Sequence, residues 1–271
     1  MVVLIGDVGA GKSTFAVGLV KCMVRNDSVK GQYFTIIGSE ESFQRNVIDR
    51  MEKDLRYPEP THRGDFFVIN INIRSRLRGR VISILDLPGE VQSRIIYEGI
   101  IEGEEYKFNE IEGIQEDIKR KIKREEVVEE EEWKKLFYYY ITQSKGIILL
   151  VRADECPSDD TYIKIFESKI IKRKKRKCLI ISACDRIGYN PDEYKVPLIF
   201  PRFFDYELAK KIKERWGING NNLINYLMSK GIDLLGVAVP ADKNNPEALR
   251  MGKDGSFETQ GFGGVKQWIL K

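Results

Sequence analysis

The chain holds a single histidine, His62, in 271 residues. That scarcity excludes an HExxH zinc site and any His-rich metal cluster. Cysteine is sparse as well, and Cys22, Cys156, Cys178 and Cys184 form no CxxC pair, so neither a zinc ribbon nor a thioredoxin motif is present. Four scattered thiols suit a reducing, cytoplasmic setting. No apolar run approaches the roughly 18 residues that a membrane-spanning helix needs. The start also lacks a basic segment followed by a hydrophobic one, so a secretory leader is not expected. Excess charge of one sign is missing too: 45 Lys and Arg against 41 Asp and Glu leave +4. What is present, 42% hydrophobic and 32% charged residues, describes a globular protein with a core and excludes a disordered, collagen-like or disulfide-dense chain.

Strand-like and helix-like patterns alternate along the chain. Val2–Ile5, Tyr33–Ile37, Phe66–Ile73, Val81–Leu85, Gly146–Val151, Cys178–Ser182 and Ile232–Val239 read as strands. The runs at 146–151 and 178–182 are continuously apolar, as strands buried on both faces are. Helical periodicity marks 13–24, 41–55, 159–172, 208–216, 223–228 and 265–270. Tyr57–Pro58–Glu59–Pro60 must end the second helix, because two prolines remove donors and disfavour helical backbone before them. The stretch 104–135 is dense in charge, with a narrow stripe of Ile111, Ile114, Ile118 and Ile122 and the i,i+4 pairs Glu116–Arg120 and Lys121–Glu125. It reads as a solvent-facing helical insertion. The expected architecture is an α/β protein with a mostly parallel central sheet, residues 1–271 forming one enlarged domain.

The most specific signal is Gly6–Asp7–Val8–Gly9–Ala10–Gly11–Lys12–Ser13–Thr14, which fits G-x-x-x-x-G-K-[ST] between a strand and a helix. Its glycines let the backbone curl so that successive amides point at phosphate oxygens. The helix behind it adds its N-terminal dipole. Lys12 supplies positive charge to the terminal phosphates, and the Ser13 hydroxyl is placed to ligate Mg2+. Downstream, the strand Val81–Leu85 ends in Asp86–Leu87–Pro88–Gly89–Glu90. A carboxylate at a strand end holds magnesium, usually through water, and the Gly89 amide is placed to meet a γ-phosphate.

With these two motifs the sequence resembles the Ras-like GTPases of the translation-factor-related class, most like the bacterial and archaeal double-GTPase-type domains with their D-x-x-G-E signature. The resemblance implies a three-layer P-loop fold that binds GTP or GDP with Mg2+ and hydrolyses GTP slowly. It assigns Thr61, in Pro58–Glu59–Pro60–Thr61, as the switch threonine that ligates Mg2+; an incidental loop threonine is the other reading. The water-orienting position falls on Glu90, with Gln92 as the substitute. The family's N/T-K-x-D element corresponds to Ser182–Ala183–Cys184–Asp185, in which Asp185 accepts two hydrogen bonds from guanine while Ala183 and Ser182 depart from the pattern. Asp185 also fits a turn or helix-capping role. The Ala241 amide, in Val239–Pro240–Ala241–Asp242, stands at the second base loop.

Two further readings stay open. The same loop can serve ATP or ADP, with Asp185 merely structural, or a module that binds nucleotide without hydrolysis. The six cations Lys172–Lys177 read as a solvated helix end rather than a nucleic-acid surface, because the acidic block at 125–132 nearly balances them. A protein effector engaging the switch loops and the charged insertion is the expected partner.

Overall fold

The computed structural model describes residues 1–6, 9–24, 29–37, 40–58, 67–75, 79–86, 95, 100–101, 105–156, 160–193 and 203–271. Among the described residues seven strands form one sheet: β1 (Val2–Gly6), β2 (Val29–Ile37), β3 (Phe67–Ser75), β4 (Gly79–Asp86), β5 (Gly146–Arg152), β6 (Arg176–Ser182) and β7 (Asp233–Gly236), in the order β2-β3-β4-β1-β5-β6-β7. The five strands from β4 to β7 run parallel. The two at the other edge are antiparallel to their neighbours. The sheet is thus mostly parallel, as expected.

Alternation along the strands divides the core into two layers, because successive side chains of a strand point to opposite faces. Val3 and Ile5 of β1, Leu149 and Val151 of β5, and Leu179 and Ile181 of β6 face one cluster. Val2, Leu4, Ile148, Leu150, Cys178 and Ile180 face the other. The first face is covered by α5 (Glu130–Gln143), α6 (Thr161–Glu167) and α8 (Tyr206–Lys230), the second by α1 (Lys12–Val24), by the helical segment α2 at 40–52 and by α9 (Phe262–Leu270). Helices therefore lie on both faces. The short helices α3 (Phe108–Ile111), α4 (Ile114–Lys123) and α7 (Lys169–Lys172) complete the described set.

The stretch expected to face solvent does so only in part. Trp133, Leu136, Phe137, Tyr140 and Ile141 recur at helical spacing on α5 and are all buried, so this helix is a core element. Its acids lie in the first turn, Glu130–Glu132, where the helix dipole favours them. Helix α4 is the charged part, laying Ile114 and Ile118 against the core. Its charges also pair differently: Glu116 meets Lys119 at 2.8 Å and Lys121 reaches Glu132 on α5 at 2.6 Å. Lys121 misses Glu125 because α4 ends at Lys123, and Glu125 adopts a left-handed φ of 57° outside it, while Arg120 meets Asp117 instead.

The two helices expected at 208–216 and 223–228 are the two segments of α8, separated by the non-helical backbone of Gly217 (φ 57°, ψ −125°). The six-cation run has structural work. Lys174 Nζ donates to Thr142 O at 3.0 Å and Ser144 O at 2.8 Å, closing the C-terminus of α5. The Arg176 guanidinium stacks 4.3 Å over Trp268. Among the described residues, no helix is long and apolar enough to cross a membrane.

The core assignment of α5 is measurable. Leu136→Ala, at a site 1% exposed, is expected to cost about 2–5 kcal/mol in urea unfolding. Glu126→Ala, on the exposed turn after α4, is expected to stay within about 0.5 kcal/mol. Equal effects would contradict the burial of α5.

Candidate functional site

Parallel strands bring their carboxyl ends to one edge of a sheet, and clefts form there where the chain switches direction across the sheet. Here the chain leaves β1 toward β2, β3 and β4 on one side and later continues to β5, β6 and β7 on the other. The loop after β1, the last residues of β4, β5 and β6 and the segment after β7 all open into a cavity of about 550 Å3.

The loop after β1 fits the curled shape that its glycines allow. Gly9 and Gly11 take φ of 71° and 79°, values costly for any side chain. Gly6 packs so closely on β5 that a Cβ there would stand 2.6 Å from Leu150 O. Lys12 opens α1 and is 5% exposed, its Nζ 3.4 Å from Gly6 O and 3.8 Å from Asp86 Oδ1. The Ser13 hydroxyl donates to Asp86 Oδ2. A buried ion pair of this kind is a weak source of stability, yet loop amides, an ammonium and a helix N-terminus on one cavity suit an anion. Ser13 and Asp86 together offer hard oxygens in contact. No group of three His, Cys, Asp or Glu side chains able to hold a metal occurs among the described residues. Hard oxygens of this kind fit a cation that takes its other ligands from phosphate and water, as Mg2+ does.

Across the cavity, β6 ends in Ser182, whose hydroxyl donates to Ala10 O at 2.9 Å and so fastens this strand to the glycine loop. Ala183 follows in a left-handed conformation (φ 52°, ψ 37°), a strained geometry for alanine. The 3-10 turn Cys184–Ile187 then presents Asp185. Burial pushes the Asp185 carboxyl up, against the opposing pull of its own and the Ala241 amide and of Arg186 and Arg250. Tyr57 forms another wall, its hydroxyl donating to Val239 O at 2.6 Å, and burial raises its pKa to about 12.

Gly9 to Thr14, Asp86 and Asp185, all singled out by the sequence, line this one cavity. Gly6 supports the loop from below, and Ala241 reaches the site through its amide to Asp185. Asp7, Val8, Thr61, Gly89, Glu90 and Gln92 lie outside the described residues. The structure adds residues that motif reading passed over, notably Tyr57, Arg152, Arg186 and Phe262. Arg152 is the last residue of β5, and its Nε and Nη2 donate to Asp154 at 2.9 and 2.8 Å. Asp154 also accepts from Arg186 Nη1 at 2.9 Å, so one carboxylate joins β5 to the turn that carries Asp185. A charged residue closing an apolar strand at this edge was the available signal for Arg152.

No family model matches the chain, and a search of curated proteins gives no match.

The Asp154 junction carries a pH dependence. Burial alone would push this carboxyl up, but the hydrogen bonds from Arg152 and Arg186 outweigh it and hold the pKa at about 2, below the usual 3.8. A folded-state pKa below the unfolded one adds stability that is fully present above the unfolded value and is lost as pH falls through the folded one. The melting temperature of Asp154→Asn is therefore expected below that of the parent protein at pH 6, with the gap narrowing between pH 4 and pH 2. A gap independent of pH would contradict the pairing.

Proposed function

We propose that this chain is a Mg2+-dependent guanine-nucleotide-binding switch protein with a Ras-like P-loop fold, which binds GTP and hydrolyses it slowly. The observation that carries the reading is that Asp185 faces the same cavity as the glycine loop, Lys12 and Asp86. The strand order supports it, with the loop after central β1 flanked by the ends of β4 and β5.

In this reading the amides of residues 9–14 and Lys12 hold the phosphates, as the curled loop and the helix start favour. The Ser13 hydroxyl and Asp86 carboxylate hold Mg2+, which supplies charge neutralisation at the phosphates. Thr61 as a further ligand, the Gly89 amide at the γ-phosphate, and Glu90 or Gln92 at the attacking water rest on the resemblance alone. Asp185 accepts from the N1 and N2 donors of guanine. Adenine lacks that pair of donors, so a half-buried carboxylate left unmatched discriminates against it. The surface of α3 and α4, with the segments around Thr61 and Gly89, is where an effector protein would read the bound state.

One observation favours a second reading. The Asp185 carboxyl already meets the Ala241 amide and lies near Arg186, which a purely structural turn residue would also do. That reading makes the chain an ATP-binding protein.

Calorimetric titration with GDP and ADP in the presence of Mg2+ separates the two. GDP is expected to bind at least about a hundredfold more tightly, and Asp185→Asn to weaken GDP by roughly ten- to a hundredfold with little effect on ADP. Equal affinities for the two nucleotides would overturn the guanine reading. Single-turnover GTP hydrolysis is expected to be slow and to fall in the double variant Glu90→Ala, Gln92→Ala; an unchanged rate removes both residues from the water-orienting role.

A further inference from the structure

The guanidinium of Arg152 is held on every nitrogen. Nε and Nη2 fork onto Asp154, and Nη1 lies 3.1 Å from Glu155. Two carboxylates thus use its in-plane edges and offset its charge, so it is a poor free cation for a phosphate. The side chain as a whole keeps 23% of its surface exposed. The side chain lines the cavity beside the glycine loop, with Nη1 3.7 Å from where a Cβ on Gly9 would stand. On the far side Asp154 ties it to Arg186, the neighbour of Asp185. The group is therefore fixed between the phosphate end of the cavity and its base end.

Two more facts define the space beside it. Ala183 contributes only a methyl group to this wall of the cavity. Tyr57 lines the same cavity, with its hydroxyl held by the hydrogen bond to Val239 O. A planar, delocalised guanidinium with occupied edges, facing a space shared with an aromatic ring, suits a planar heterocycle.

We propose that Arg152 is a base-stacking residue: the face of its guanidinium, oriented by Asp154 and Glu155, packs on the purine ring of the bound nucleotide beside Ala183. The inference rests on the nucleotide-binding reading above and names a residue which that reading does not use. Arginine suits the position because lysine keeps the charge but lacks the plane and the fork.

The test is calorimetry with GDP and with inorganic pyrophosphate, both with Mg2+, on the parent protein, Arg152→Ala and Arg152→Lys. Both variants are expected to weaken GDP about tenfold, a loss of the size that base stacking produces. Pyrophosphate, which has no base, is expected to bind within about twofold of the parent in both, which also reports that the glycine loop is intact. Parent-like GDP affinity in the lysine variant would overturn the proposal, because charge alone would then suffice. So would an equal loss for GDP and pyrophosphate, which would assign Arg152 to the phosphates or to loop stability. A parent protein that binds pyrophosphate but neither GDP nor ADP more tightly would instead overturn the nucleotide reading and this inference with it.

Discussion

The buried contact among Lys12, Asp86 and Ser13 is the constraint around which the rest of the molecule is arranged. An ammonium and a carboxylate, each 5% exposed, are costly to bury and tolerable only when held against each other. The parallel pairing of β1 with β4 holds them there. Leu4 stands opposite Ile84, so two residues further on Gly6 comes level with Asp86, and the loop returns Lys12 over it. A slip of one residue would exchange the side chains of β1 between the two apolar layers as well as separate the pair. Core packing and site geometry therefore depend on the same register.

The other half of the cavity is tied in by polar bonds. Ser182 joins β6 to the carbonyl of Ala10, Asp154 joins β5 to the Asp185 turn, and Tyr57 joins the end of the α2 segment to the backbone after β7. Each bond closes a long stretch of chain with one hydrogen bond at the same edge of the sheet. The apolar layers behind them supply the stability, while these links set where functional groups point.

How much of this was legible in the sequence follows from how local each feature is. The glycine loop is contiguous, and its conformation is written in Gly9 and Gly11, so it could be read directly. Asp86 and Asp185 were legible because each follows a strand whose apolar run marks its end. Arg152 closes an apolar run in the same way, but no motif surrounds it, and its place in the cavity follows only once β5 is set beside β1. Tyr57 was hidden for the same reason: its partner Val239 lies 182 residues away in the chain. Helix α5 was misjudged because the acids at its start dominate the local composition, although Trp133, Leu136, Phe137, Tyr140 and Ile141 carry a clean helical period. The boundary between the helices expected at 208–216 and 223–228 was legible too: Gly217, with a non-helical φ of 57° and ψ of −125°, separates two helical segments within α8.

Phe262 has a consequence for the order in which the cavity can form. Its ring packs on Phe15, 5.6 Å between centroids, and it leaves no room for a side chain at Gly18, where a Cβ would stand 2.5 Å from the ring. It also lines the cavity whose glycine loop begins some 250 residues earlier. At roughly 5–20 residues per second, synthesis leaves that loop waiting on the order of tens of seconds for its last wall. Contacts of such sequence separation also form late in folding, since their loop-closure entropy must be met first. A ligand of the complete cavity thus has no early intermediate to hold, and its binding stabilises the finished sheet and both of its layers together.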